Sequence, residues 1–317
     1  MSNVNKKLLN QIEELKKQIG TVFVGKEKEI HYLLIGFFSG LHVLIEDIPG
    51  VGKTTLSKIL AKSSGLDLSR IQFTPDLLPG DVIGMTVWSI EKHDFIFKEG
   101  AIMHQFILAD EINRASARTQ SSLLEAMQEG AITVDGKTYR LPEPFFVIAT
   151  QNPVSFAGTF QLPEAQVDRF GISFSLGYPD ENEEMIILER FREEDLIDKK
   201  KAVITSSEII KINELIRKVH ADEKLKSYLV KIANQTRNNS LLKLGMSPRA
   251  TQHLLRASQA EAFLSGRDFI IPEDVINVSK IVLGHRLIIS AEAKMENKGI
   301  GDILDSLMRE IAIPTGL

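Results

Sequence analysis

Cysteine is absent from all 317 residues. That excludes disulfides and any thiolate zinc or iron–sulfur site, and it is compatible with a reducing compartment. Excess positive charge is missing too. Lys and Arg number 38 against 42 Asp and Glu, a net charge of −4, so no large basic surface is implied and nucleic acid is not the expected partner. No stretch offers the roughly 18 to 20 apolar residues that a membrane span needs. Residues 30–45 lack formal charges but contain Gly36, Ser39, Gly40 and His42; residues 144–163 contain Gln151, Asn152, Pro153 and Gln161. No apolar signal core follows Lys6 and Lys7, and a cytoplasmic protein is expected. Internal repeats and low-complexity tracts are missing. The seven histidines form no His-x-x-x-His pair beside an acid, no Ser/His/Asp set is visible, and His42 reads as a structural residue of an apolar strand.

The chain is 43% hydrophobic and 25% charged, an ordinary globular composition long enough for about two domains. Val4, Leu8, Leu9, Ile12, Leu15 and Ile19 fall on one helical face. A second apolar stretch covers 26–38. Short apolar runs at 42–46, 70–73, 106–110 and 145–150 read as strands, with helical patterns at 54–61 and 117–129 between them. Strand–helix alternation of this kind predicts an α/β domain with a buried parallel sheet. Two hairpin inserts are expected: one turning at His93-Asp94, and one at Asp135-Gly136, a strong two-residue turn signal. Beyond Gly177-Tyr178-Pro179 strands are hard to find. Helical patterns run over 181–194, 207–220, 223–237, 249–265 and 273–283, with Ser247-Pro248 as an N-cap and first-turn proline. The expected division is an α/β domain over 1–179 and a helical domain over 180–317.

Asp47-Ile48-Pro49-Gly50-Val51-Gly52-Lys53-Thr54 lies between a strand and a helix, the setting of a phosphate-binding loop. Gly50 and Gly52 let main-chain N–H groups turn toward phosphate oxygens, and the helix start adds its positive end. Lys53 would reach the β- and γ-phosphates and Thr54 would hold Mg²⁺. The strict pattern has glycine first, where this chain has Asp47. Phe106-Ile107-Leu108-Ala109-Asp110-Glu111 is an apolar strand ending in two carboxylates. Asp110 would hold Mg²⁺ and Glu111 would polarise the attacking water. Asn152, at the tip of the 145–150 strand, can position that water without competing for its proton. Pro49, Val51, Thr55, and Val24 and Gly25 upstream, complete the candidate nucleotide contacts. Charge developing on a γ-phosphoryl group calls for cations. Arg169 is the candidate acting across a subunit interface, Arg249 the candidate from the lid of the same subunit, and Arg114 and Arg118 are rivals for the interface role.

Gly50-Val51-Gly52-Lys53-Thr54, Asp110-Glu111-Ile112-Asn113-Arg114-Ala115, Gln120 to Glu129, Ala149-Thr150-Gln151-Asn152-Pro153, the run from Gly158 through Glu164 to Phe170, and Ser247-Pro248-Arg249 occur in this order. The chain thereby resembles the MoxR family of AAA+ ATPases over nearly its whole length. The resemblance implies a parallel-sheet ATPase domain with hairpin inserts, followed by a smaller helical lid. It implies ATP and Mg²⁺ as cofactors. By it Lys53 and Thr54 are Walker A, Asp110 and Glu111 Walker B, Asn152 sensor 1, Arg169 the finger and Arg249 sensor 2. It further implies a homo-oligomeric ring, expected to be a hexamer, and a chaperone role toward protein clients, often beside von Willebrand factor A domain partners and through metal-cofactor insertion. A magnesium-chelatase-like motor subunit is the alternative. A nucleic-acid translocase is a weaker one, because the second hairpin sets Asp135 beside Lys137 and Arg140.

Overall fold

The computed structural model describes residues 3–152, 160–190 and 196–314. Helices α1 (Asn3–Val22) and α2 (Glu27–Ser39) come first; α1 buries Leu8, Ile12, Leu15 and Ile19 of its apolar stripe, and α2 buries Ile30, Leu33, Leu34 and Phe38. Strand β1 (Val43–Glu46) runs into the glycine-rich loop, and α3 (Lys53–Ser64) leaves it. Then come β2 (Leu68–Gln72), a short α4 (Pro79–Ile83), and the hairpin β3 (Gly84–Ser89) and β4 (Asp94–Glu99). Strand β5 (Phe106–Asp110) leads through a 3₁₀ turn to α5 (Ala117–Glu129), whose first turn is capped by Ser116. The second hairpin is β6 (Ala131–Val134) and β7 (Lys137–Arg140). Its loop residues Asp135 and Gly136 both have positive φ, 48° and 78°, as a two-residue hairpin turn requires. Strands β8 (Phe146–Gln151) and β9 (Ile172–Phe174) flank the short α6 (Glu164–Val167).

Parallel pairing gives one five-stranded sheet in the order β2-β5-β8-β1-β9. Its two faces follow from period-two alternation. Val43, Ile45, Phe106, Leu108, Phe146, Ile148 and Ile172 face α1, α2 and α3. Leu44, Ile107, Ala109, Val147 and Ala149 face α5. Both faces are covered, which explains the nearly unbroken apolar runs of β5 and β8. Phe37 of α2 fastens that helix to the sheet, its ring edge-on to Phe146 at 5.1 Å and tilted to Phe106 at 6.5 Å. The two hairpins are joined by Phe97 and Tyr139, stacked at 4.0 Å.

The remainder is helical, as expected. It comprises α7 (Glu181–Arg190), α8 (Ser206–Arg217), α9 (Glu223–Arg237), α10 (Pro248–Leu264), α11 (Pro272–Leu283), α12 (Ala291–Met295) and α13 (Ile300–Glu310). Thr205 and Glu208 form a capping box on α8, and Ser247 caps α10 with Pro248 in its first turn. The structure adds a two-strand ribbon, β10 (Leu242–Leu244) with β11 (Ile288–Ile289). Strands this short carry too little period to be read from sequence. The core of this region is continuous with the α2 face of the sheet. Residues 191–194 of the expected 181–194 helix, and Pro153, Gly158 and Thr159 of the family motifs, lie outside the described residues.

Removing the Phe37 ring should loosen α2 from the sheet. Phe37→Ala is expected to cost about 3–5 kcal/mol, read as a lower urea midpoint by circular dichroism.

Candidate functional site

The loop after β1 is shaped by its glycines. Gly50 and Gly52 have φ of 90° and 91°, a region that L side chains rarely enter. Lys53 Nζ donates to the Asp47 and Ile48 carbonyls at 2.8 and 3.1 Å, so the ammonium closes the loop on itself. Burial lowers the Lys53 pKa, and the carboxylates of Asp47, Asp110 and Glu111 oppose that shift. The loop, Lys53 and Thr54 line a cavity of about 460 Å³ whose other walls are Arg70, Gln72, Asp110 and Glu111.

Those walls are strand ends. In a parallel sheet the C-terminal ends of β1, β5, β8 and β2 share one edge, and ligand crevices form there. Asp110 is 8% exposed and closes β5. Thr150 Oγ1 donates to its Oδ1 at 2.7 Å, and Arg70 Nη2 to its Oδ2 at 2.7 Å. Glu111 has φ 54°, and its N–H donates to Thr150 Oγ1 at 2.8 Å. Its Oε2 accepts from Gln72 Nε2 at 3.0 Å and Arg114 Nη1 at 2.8 Å. Asn152 leaves β8 between the other two sets, and its carbonyl accepts from Asn113 Nδ2 at 3.1 Å. A carboxylate and a hydroxyl lining one cavity suit Mg²⁺, which keeps several waters and takes the rest of its shell from phosphate oxygens. Thr54 and Asp110 meet that requirement, and the described residues hold no cluster of three or more His, Asp or Glu that would suit another metal.

A second cavity, about 260 Å³, adjoins the loop on its other side. It is lined by Phe23, Val24, Val51, Thr55, Pro179 and Ile187, with Gly50 and Gly52 shared between the two. Gly25 stands behind its wall. Its φ of 75° is one that L side chains rarely adopt, and a Cβ there would also displace the Glu183 carboxylate.

Arg169 and Arg249 lie elsewhere. Asp168 accepts from Ser247 Oγ at 3.0 Å and from Arg286 Nε at 2.9 Å, and Arg249 Nη1 sits 3.7 Å from its Oδ2. Gly171 N–H donates to the His42 carbonyl at 2.8 Å, which puts this segment at the start of β1. Lys53 follows the end of β1, roughly 13 Å away at strand rise. Neither arginine lines either cavity. In this structure Arg249 is held beside Asp168 and does not form part of the cavity walls. The helix that carries it packs so that Arg249 joins Arg169 at the opposite end of the sheet. Arg114 is tied to Glu111, and Arg118 is exposed on the first turn of α5.

Residues 42–172 match the family described as ATPases associated with various cellular activities, and residues 234–307 match the AAA lid domain. Chaperone MoxR1 of Mycobacterium tuberculosis is 35% identical over 96% of this chain and 83% of its own length. The chain belongs to the MoxR family of AAA+ ATPases. YeaC of Bacillus subtilis is 44% identical over 94% of this chain and 93% of its own. A crystal structure from Cytophaga hutchinsonii, described as that of a candidate ATPase, matches with a TM-score of 0.92 at 38% identity. It covers 98% of this chain and 97% of its own. No helix among the described residues is long and apolar enough to cross a membrane.

Arg70, Gln72 and Thr150 of this MoxR-family chain escaped the sequence reading. Arg70 and Gln72 are polar at alternate positions near a strand end, so they share a face, but their partners are 39 and 40 residues away. His42 is structural as read: Val147 N–H donates to its Nδ1, and Nε2 faces the Met127 carbonyl at 3.1 Å.

Burial drops the His42 pKa from 6.5 to about 4, and burial with Arg286 drops that of His253 to about 3. Both stay neutral in the fold at pH values where an unfolded histidine is charged. The unfolded chain then binds more protons, so stability is full above about 6.5 and falls as pH drops toward 4. The urea midpoint should decline over that window, and His42→Asn should flatten the slope.

Proposed function

We propose that this chain binds ATP with Mg²⁺ in the two joined cavities and hydrolyses it at sites completed by a neighbouring subunit. The carrying observation is that Lys53, Thr54, Asp110 and Glu111 line one cavity while Arg169 and Arg249 sit together at the far end of the sheet. In this reading residues 1–179 hold the nucleotide and 180–317 form the lid. Lys53 and the loop N–H groups bind the phosphates. Thr54 and Asp110 hold Mg²⁺, which when bound draws charge from the phosphate oxygens. Glu111 takes the proton of the attacking water, and Asn152 orients that water. Gln72 and Arg114 release Glu111 for the task. Val24, Val51, Thr55 and Pro179 enclose the base. Arg169 and Arg249 from the next protomer neutralise the developing charge.

Hydrolysis in a ring, expected to be a hexamer, would drive chaperone-like remodelling or activation of protein clients, including cofactor insertion and von Willebrand factor A domain partners. The support for that wider role is family membership and the chaperone name of one relative. A cytoplasmic site of action fits this reading.

Glu111→Gln should keep ATP binding and lower phosphate release by about 10²–10⁴-fold; wild-type turnover would exclude Glu111 as the base. Lys53→Ala, Arg169→Ala and Arg249→Ala should each be inactive alone. Mixing Lys53→Ala with either arginine variant should restore turnover, because one subunit supplies Lys53 and the next supplies the arginine. No recovery for Arg249→Ala in confirmed mixed rings would return that residue to its own subunit.

A further inference from the structure

We infer that Asp47, where the strict phosphate-loop pattern has glycine, is a positioning residue that joins the phosphate cradle to the wall of the base cavity. The inference rests on reading the two cavities as one nucleotide site. Asp47 is 5% exposed, and each of its polar groups is engaged with a different part of that site. Its carbonyl accepts from Lys53 Nζ, and its N–H donates to the Gln151 carbonyl at 3.0 Å, one residue before Asn152. Oδ1 accepts from the Ile48 N–H at 2.9 Å, which fixes the first turn of the loop.

Oδ2 leaves the loop altogether. It accepts from Ser175 Oγ at 2.9 Å, Leu176 N–H at 2.6 Å and Gly177 N–H at 2.8 Å. Those residues are the exit from β9; Gly177 itself lines the base cavity, and the chain beyond adds Pro179 and Ile187. The same segment is held on its other side by Lys26, whose Nζ donates to the Tyr178 carbonyl at 2.9 Å and lies 3.5 Å from Glu183. Three donors on one carboxylate oxygen, two of them main-chain, form a directional, charge-assisted clasp. A glycine in this position could provide the loop but not the clasp. The base wall would then keep only its Lys26 side, while Gly50, Gly52 and Lys53 would still shape the phosphate cradle.

Calorimetric titration of wild type, Asp47→Gly and Ser175→Ala with Mg²⁺ and either ATP or inorganic triphosphate tests this, with melting temperature followed in parallel. Asp47→Gly, which restores the strict pattern, should bind ATP roughly tenfold or more weakly while triphosphate affinity shifts by less than about twofold. Ser175→Ala removes one of the three donors from an exposed side chain, so it tests the clasp without emptying a buried site. It should lose about two- to threefold for ATP alone. Wild-type ATP affinity in folded Asp47→Gly overturns the inference, as does equal weakening of ATP and triphosphate. If Asp47→Gly does not fold, Ser175→Ala decides by the same criterion. Wild type that binds neither ligand overturns the nucleotide reading and this inference with it.

Discussion

The parallel pairing of β1 between β8 and β9 sets the geometry of everything else. A parallel sheet has two unlike ends. All its strands deliver their C-terminal residues to one edge, and all its entering segments arrive at the other. The glycine loop, Asp110-Glu111 and Asn152 follow β1, β5 and β8 and therefore meet. Arg169 precedes β9 and so lies with the entering segments. The sheet thus separates the acids and the phosphate cradle from the arginines by the length of a strand.

Within the cavity the acids are already engaged. Asp110 is held by Thr150 and Arg70, and Glu111 by Gln72 and Arg114. Arg70 and Arg114 have half-exposed side chains, and ion pairs at such positions contribute roughly 0–1 kcal/mol. Exchange of these partners for water or ligand is therefore cheap. The Thr150 hydroxyl is different: it is buried, and it bridges Asp110 to the Glu111 main chain. It fixes where the two acids stand relative to each other while their outer partners come and go. The Arg114 pairing also bears on its rivalry with Arg169, since Arg114 reaching across an interface would have to leave Glu111.

Much of this was legible because it is local. The apolar run 106–110 ending in two acids, the Asp135-Gly136 turn and the glycine loop each carry their own signal in adjacent residues. What escaped was contact between distant segments. Arg70 and Gln72 gain meaning only when β2 pairs with β5 in register. Asp47 looked like a departure from a pattern because its partners, Ser175 to Gly177, lie about 130 residues on. The start of α10 is legible as a capped helix carrying Arg249, but its packing beside Asp168 is not, because Asp168 lies about 80 residues earlier.

That packing is enforced by a buried ion pair. Arg286 is 6% exposed and donates to Asp168, to the carbonyls of Phe170, Gly171 and Val282, and to His253 Nδ1. A buried guanidinium is costly unless its donors are met. Here most of them are met by the segment leading into β9. Asp168 in turn receives Ser247 and Arg249 from the start of α10. The lid therefore cannot shift against residues 168–171 without exposing or orphaning this charge. Because Arg169 lies inside that segment and Arg249 is bound to its neighbour, the two arginines are presented as a pair. A movement of the lid would carry both together, which makes lid position and arginine placement one variable instead of two.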